Sequence, residues 1–168
     1  MATKTKPVPV YWDSCVFIAC IQREVERYPT LESIIEEAKS GKIVLVASVL
    51  ARAEVAKLNR SEECQTAQVQ RIAEFFENDF IELRETTEEI AEYAATIIRD
   101  HNVKPMDALH LATALRVPCR EFHTYDGTTR NPGRKKAYLL DLDGKVGRPA
   151  IKIVTPQLPF PRLPLLSE

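Results

Sequence analysis

The feature that most constrains the fold is an almost uninterrupted apolar run at residues 42–48, Lys-Ile-Val-Leu-Val-Ala-Ser. A run of this length leaves no polar face to turn towards water, so both sides of the segment need a cover. Such runs are typical of central strands in parallel sheets, which are packed against helices on both faces. The run therefore predicts a buried parallel strand.

Strand-like and helix-like segments alternate along the rest of the chain, and most of the connections between them are short. This alternation predicts a three-layer α/β/α sandwich with a mostly parallel central sheet of about five strands. Besides the central run, strands are expected at residues 9–12, 80–83, 121–124 and 151–154. Capping residues precede three of the predicted helices: Asp13 or Ser14, Thr30, and the capping-box pair Thr86 and Glu89.

Length and composition narrow the class of protein. A chain of 168 residues is expected to form one domain, 1–168, with a core at about 9–155, an insertion at 127–150 and a proline-rich tail at 156–168. The net charge of −1 gives no bulk attraction to nucleic acid or membrane. No apolar run approaches the roughly 20 residues of a membrane span, and the first residues lack an apolar signal region.

The cysteines and these absences together predict a cytoplasmic protein. None of the four cysteines forms a Cys-x-x-Cys pair, so reduced thiols are expected rather than a disulfide framework or a zinc site. The four are Cys15, Cys20, Cys64 and Cys119.

Four acids stand where the ligand site of a parallel sheet would form. Asp13 and Asp126 follow predicted strands directly, and Glu54 and Asp107 lie on helices close to the same edge. Ligands of such sheets bind beyond the carboxyl ends of the strands. Four converging carboxylates need a compensating cation, and oxygen ligands favour Mg²⁺ or Mn²⁺.

Each of these residues also has a purely structural interpretation. Pro105 suits the first turn of a helix, and Asp107 in that turn would stabilise the helix dipole whether or not it binds a ligand. Ser48 would serve as an ordinary helix cap, and Glu54 would lie on the solvent-facing stripe of its helix. His110, one turn after Asp107, is expected to pack beside the crevice rather than bind metal, and His123 to be a satisfied core group.

The chain resembles the PIN-domain nucleases, including the VapC-type toxins, over roughly residues 9–155. The similarity lies in Asp13-Ser14, in Ser48 with Glu54, in residues 107–114 (Asp-Ala-Leu-His-Leu-Ala-Thr-Ala), and in Thr124-x-Asp126. The resemblance implies an acidic metal site with two polar neighbours, and cleavage of single-stranded RNA with Mg²⁺ or Mn²⁺. The acids implied are Asp13, Glu54, Asp107 and Asp126, and the neighbours are Ser14 and Thr124.

The segment at residues 127–150 is longer than the resemblance leads us to expect. Between Arg130 and Lys152 the chain carries seven basic and two acidic residues. The segment would either hold an RNA backbone or form a solvated loop. Its candidate RNA-binding residues are Arg130, Arg134, Lys135 and Lys136. Within it, Asp143-Gly144 predicts a hairpin turn between two short strands.

The sequence thus predicts a metal-dependent ribonuclease, with an antitoxin as its inhibitory protein partner. Two alternatives are a PIN-type RNA-processing nuclease without an antitoxin and a non-catalytic RNA-binding protein of the same fold. A homodimer is also expected, because the apolar stretches at residues 16–21 and 34–38 exceed what one sheet face needs to cover it.

Overall fold

A computed structural model describes residues 6–56 and 62–158, except for the side chains of residues 62–66 and 68. The strands are β1 (Val8–Trp12), β2 (Ile43–Ser48), β3 (Ile81–Arg84), β4 (Glu121–His123) and β5 (Lys152–Val154). The helices are α1 (Ser14–Ile21), α2 (Tyr28–Lys39), α3 (Leu50–Val55), α4 (Glu62–Phe76), α5 (Glu88–His101) and α6 (Pro105–Arg116). A short 3₁₀ helix spans Leu139–Leu142.

The five strands form one sheet in the order β3-β2-β1-β4-β5, and every neighbouring pair is parallel. The chain starts in the middle strand and builds outwards, first to one side and then to the other. All the carboxyl ends of the strands therefore meet at one edge, with the end of β1 at its centre. The predicted parallel sheet is confirmed.

Two hydrophobic cores lie on opposite faces of this sheet. Val10 and Trp12 of β1 point into one core, which α1 and α2 complete, while Tyr11 points into the other, with α5 and α6. Successive side chains of a strand alternate between the two faces, so the central strands β1 and β2 supply both cores. Ile81 of β3 adds to the first core, and Phe122 of β4 and Ile153 of β5 add to the second. The architecture is the predicted three-layer sandwich, and the apolar run at residues 42–48 forms a strand covered on both sides.

Most of the apolar side chains of α1 and α2 are buried in the chain's own core. Val16, Phe17 and Ile34 are fully buried, and Ile35 and Ala38 are nearly so. Ile18 and Ile21 are partly buried, so these helices leave little apolar surface for a second copy, and the homodimer stays a prediction.

Two of the predicted helix starts differ from the structure. Helix α2 begins at Tyr28 instead of after Thr30, because Pro29 fits its first turn. Helix α5 is capped by Thr87, whose hydroxyl accepts from Ile90 N, and not by Thr86. The Thr86 hydroxyl instead lies 3.3 Å from that of Ser48 at the end of β2. Asp13 caps α1 as predicted.

The hairpin predicted at Asp143-Gly144 is wrong. The preceding residues form the 3₁₀ helix, in which positions three apart share one face, so Leu139 and Leu142 both enter the core. Asp143 then accepts a hydrogen bond from Ile153 N at 2.7 Å, which ties the segment to β5. The helix anchors the segment at residues 127–150 to the sheet.

Among the described residues, no helix combines the length and apolarity needed to cross a membrane. Cys15, Cys20 and Cys119 are free thiols. Cys64 and residues 159–168 of the predicted tail lie outside the described part of the chain.

Two glycines of the segment at residues 127–150 allow a matched stability test. Gly144 and Gly147 both have positive φ (+67° and +91°), but only at Gly147 would a Cβ collide with Leu115 Cδ2. Alanine costs about 1–2 kcal/mol in backbone strain at either position, and overpacking adds about 1–3 kcal/mol at Gly147 alone. Urea unfolding should therefore find Gly147→Ala less stable than Gly144→Ala. Equal stabilities would contradict this packing.

Candidate active site

Asp13 lies at the centre of the carboxyl edge, directly after β1, and is almost completely buried. Its Oδ1 accepts from Ser14 N at 2.8 Å, as the cap of α1. Its Oδ2 accepts from the Thr124 hydroxyl at 2.9 Å and lies 3.3 Å from Cys15 Sγ. These donors fix the carboxylate in one orientation at the head of the central strand.

Thr124 joins Asp13 to Asp126. While its hydroxyl donates to Asp13, the same oxygen accepts from Asp126 N at 3.0 Å. The Thr-x-Asp spacing therefore serves to bring the turn after β4 against the end of β1.

Asp126 is held by a bidentate ion pair with Arg134, in which Nη1 lies 2.6 Å from Oδ1 and Nη2 lies 2.9 Å from Oδ2. Its Oδ2 also accepts from Leu139 N, the first residue of the 3₁₀ helix, at 2.9 Å. Both oxygens of Asp126 are thus engaged by the segment at residues 127–150.

Asp107 lies in the first turn of α6, where Pro105 opens the helix as predicted. Its Oδ2 is buried and accepts no hydrogen bond from any described residue, and Arg134 Nη2 approaches it only to 3.6 Å. Burial, together with the charges of Asp13 and Asp126, raises the pKa of Asp107 to about 7. A carboxylate at this position therefore needs a further positive charge.

Glu54, on α3, faces the same region through Ser14 and His110. The Ser14 hydroxyl donates to Glu54 Oε2 at 3.1 Å, and His110 Nε2 lies 2.5 Å from Glu54 Oε1. Because a carboxylate can only accept, Nε2 carries a proton. His110 Nε2 is also 3.8 Å from Asp13 Oδ1, so the ring lies between the two acids.

The other nitrogen of His110 continues this network into the core. Its Nδ1 lies 2.7 Å from the Tyr11 hydroxyl, which accepts from Ser48 N at 3.0 Å. Burial of the ring opposes its charged form, but the hydrogen bond to Glu54 and the charge of Asp13 outweigh it and raise the pKa of His110. His110 is thus a packed neighbour of the acids, as predicted.

The structure brings the four predicted acids to one edge, but unequally. Asp13 and Asp107 approach each other closely enough to raise the pKa of Asp107, Glu54 is linked through His110, and Asp126 is paired with Arg134. His123 is only partly satisfied: Nε2 bonds Glu121 at 2.9 Å, while its buried Nδ1 has no partner among the described residues.

The four predicted RNA-binding residues have different surroundings. Arg130 makes an exposed bidentate pair with Asp141, and Arg134 is turned into the acidic site. Lys136 Nζ donates to Asn102 at 2.9 Å, and Lys135 is exposed. Only part of the basic charge is therefore free to meet a nucleic acid, and this role stays a prediction.

The residues fit a divalent cation in part. Within the described chain, no three acidic, histidine or cysteine side chains are arranged to enclose an ion by themselves. Yet the oxygen-only donors, the unpartnered Oδ2 of Asp107 and the neighbouring Asp13 match Mg²⁺. This ion usually binds through one or two carboxylates and takes its other ligands from water and phosphate.

Sequence reasoning missed three contributors to this site. Cys15 contacts Asp13, Tyr11 orients His110, and Arg134 pairs with Asp126. Cys15 lies two residues after Asp13, so its contact with the site could have been predicted from the sequence. The roles of Tyr11 and Arg134 depend on how the strands and the segment at residues 127–150 pack, which no local spacing reveals.

Fold and site together define an α/β protein with an acidic crevice at the carboxyl edge of a parallel sheet. The family model for the PIN domain matches residues 10–135, well over half of the chain. The chain therefore belongs to the PIN domain family. A comparison with curated proteins finds no match.

Solved structures share the fold at low sequence identity. A toxin–antitoxin complex from Klebsiella pneumoniae has a TM-score of 0.55 at 19% identity, covering 89% of this chain and 99% of the other. VapC20 of Mycobacterium tuberculosis, a toxin that cleaves the sarcin–ricin loop, has a TM-score of 0.57 at 16% identity, covering 70% and 90%. VapBC2 of Rickettsia felis, bound to a promoter DNA fragment, has a TM-score of 0.53 at 12% identity, covering 70% and 87%.

The raised pKa of Asp107 predicts how stability depends on pH without metal. A carboxyl group with a folded pKa of about 7, against an ordinary value of 3.8, contributes stability that is fully present below the lower value. That stability is lost as the pH rises through the folded value. Asp107→Asn should therefore be more stable than wild type at pH 8, by an amount on the order of a few kcal/mol, with a difference that shrinks towards pH 4.

The measurement is urea unfolding in EDTA between pH 4 and pH 8. The control is Asp79→Asn, which changes an exposed acid just before β3, at the opposite edge of the sheet. The difference in the free energy of unfolding between Asp79→Asn and wild type should stay small at every pH. An Asp107→Asn protein that is less stable than wild type at pH 8 would make Asp107 a structural residue.

Proposed function

We propose that this chain is a metal-dependent ribonuclease that cleaves single-stranded RNA and acts as the toxin of a toxin–antitoxin pair. Membership of the PIN domain family supports nuclease chemistry, and solved toxins share the fold. The observation that carries the proposal is the unpartnered Oδ2 of Asp107, buried beside Asp13 at the carboxyl edge of the sheet. An acid so placed lacks a hydrogen-bond donor among the described residues, and Arg134 at 3.6 Å does not replace one.

Asp13 and Asp107 would hold a Mg²⁺ or Mn²⁺ ion, and Glu54 and Asp126 would complete the acidic edge. When bound, the ion neutralises phosphate charge and activates water for hydrolysis of the phosphodiester bond. The chain's own contribution is orientation: Ser14 N and Thr124 fix the Asp13 carboxylate before any ligand arrives.

The link between Glu54 and His110 would set the protonation of the site. The His110 ring donates from Nε2 to Glu54 and is held on its other side by Tyr11, whose burial raises its own pKa and keeps it protonated. Glu54 is thereby oriented at the acidic edge, with the Ser14 hydroxyl on one oxygen and His110 on the other. We assign it the role of accepting a proton from an attacking water.

The partners and the setting belong to the same proposal. An antitoxin protein would mask the acidic edge, as suggested by the fold shared with a toxin–antitoxin complex and with VapBC2. We further propose a homodimer in the cytoplasm. Light scattering of the purified chain tests the dimer, which a strict monomer at micromolar concentration would rule out.

The first test of the function is RNA cleavage by the purified chain. With Mg²⁺ or Mn²⁺ it should cut a single-stranded RNA, with EDTA it should not, and Asp107→Asn should lose at least about 10²-fold in rate. Asp107→Asn, purified in the same way, also measures any contaminating nuclease, and Asp79→Asn is the matched control that should cleave as wild type does. Cleavage that persists in EDTA, or equally in Asp107→Asn, would contradict the proposal.

The second test concerns the exposed basic side chains of the segment at residues 127–150. In an Asp107→Asn background, which leaves the RNA intact, Lys135→Glu with Lys136→Glu should weaken RNA binding. The slope of the logarithm of the RNA-binding constant against the logarithm of the salt concentration should become less negative by about 0.7 for each RNA phosphate that the chain no longer neutralises. Lys39→Glu, which reverses a charge at the opposite edge of the sheet, is the control. An unchanged salt dependence would make the segment an ordinary solvated loop.

A further inference from the structure

Arg134 is held inside the acidic site by contacts on every side. It forms the bidentate pair with Asp126, Nη2 donates to Ala137 O at 2.6 Å, and Nε donates to Lys136 O at 3.0 Å. The guanidinium also lies 4.0 Å from the centroid of the Tyr138 ring. A guanidinium fixed in this way loses little further freedom when it acts on a neighbouring group.

The neighbouring pair Arg130–Asp141 shows what an ordinary ion pair of this segment looks like. It has the same bidentate geometry, and Arg130 also lies against the Tyr138 ring, but its side chains are 55% and 43% exposed. The side chains of Arg134 and Asp126 are only 12% and 22% exposed. Because water screens the outer pair and largely spares the inner one, Arg134 acts on the acids more strongly than Arg130 does. The exposed Lys104, next to the start of α6, also lowers the pKa of Asp107, but the structure shows no ion pair between them.

The position of Arg134 divides the four acids into two groups. Asp126 is neutralised by the guanidinium and accepts from Leu139 N as well. Asp107 Oδ2 lies 3.6 Å from Nη2, which is too far for a hydrogen bond, so this buried oxygen feels the charge of the guanidinium but has no donor among the described residues. The guanidinium therefore stands between Asp126 and Asp107, where two negative charges would otherwise meet.

We propose that Arg134 is a built-in cation of the active site and takes the place of a second metal ion. The chain then binds one divalent ion, at Asp13 and Asp107, and Asp126 acts as a positioning residue for Arg134 instead of as a metal ligand. This inference rests on the proposed function, because it assumes that the acidic edge binds a divalent ion.

The test is calorimetric titration of the metal-free chain with MnCl₂. Wild type should bind one Mn²⁺ per chain. Arg134→Gln, which leaves Asp126 facing Asp107 without a cation, should bind a second Mn²⁺, whereas Arg134→Lys should keep one. Arg130→Gln is the matched control, since it breaks the exposed pair of the same segment and should titrate as wild type does.

A charge-balanced double variant tests Asp126 directly. Asp126→Asn with Arg134→Gln removes the ion pair without changing the net charge, so the affinity for one Mn²⁺ should change by less than about threefold. Arg134 makes no hydrogen bond to Asp107, so it is not one of the outer-shell partners whose loss costs a metal site about tenfold or more. Loss of a metal ligand, as in Asp107→Asn, should cost at least that much. Circular dichroism of each variant checks its fold, and the double variant decides the matter should Arg134→Gln fail to fold.

The outcomes separate this inference from the proposed function. Two Mn²⁺ per wild-type chain, an Arg134→Gln protein that still binds one, or a tenfold loss in the double variant would overturn the role of Arg134 alone. A wild-type chain that binds no Mn²⁺ would overturn the proposed function together with it.

Discussion

The repulsion between carboxylates at the carboxyl edge of the sheet is the constraint on which the rest of the site depends. The parallel sheet places Asp13 at its centre, and helix α6 brings Asp107 against it. Asp107 responds with a pKa of about 7. A fold that gathers acids in this way is stable only if cations, protons or hydrogen-bond donors offset their charge.

The chain offsets that charge in different ways at different acids. Asp13 receives donors from Ser14 N and Thr124, and Asp126 receives the guanidinium of Arg134. For Asp107 Oδ2, no described residue provides a donor. Asp107 is therefore compensated less than Asp13 or Asp126, with Arg134 approaching it only to 3.6 Å, and it is the acid at which an external cation would gain most.

Much of the fold could be predicted from short sequence patterns, because burial of an apolar run and the backbone geometry of proline act over only a few residues. The apolar run at residues 42–48 cannot face water, and Pro105 fits the first turn of a helix but not its interior, so both predictions hold. The hairpin at Asp143-Gly144 failed because a turn signal competed with the burial of Leu139 and Leu142, which three-residue spacing in a 3₁₀ helix satisfies better. The assumed surplus of apolar surface on α1 and α2 failed because the sequence does not say how much of it the core absorbs.

The positions of the four acids near one edge of the sheet could be predicted from the sequence. The different surroundings of each acid could not. Arg134 lies eight positions after Asp126 in a segment without periodicity, and only tertiary packing turns it inwards past Arg130. The most direct test of this arrangement is a crystal structure of the chain soaked in Mn²⁺, with the ion located by its anomalous scattering. We expect one Mn²⁺ peak in contact with Asp13 and Asp107, beside an intact pair of Arg134 and Asp126. A peak away from Asp107, or no bound ion at this edge, would contradict the proposed binding of one ion by Asp13 and Asp107.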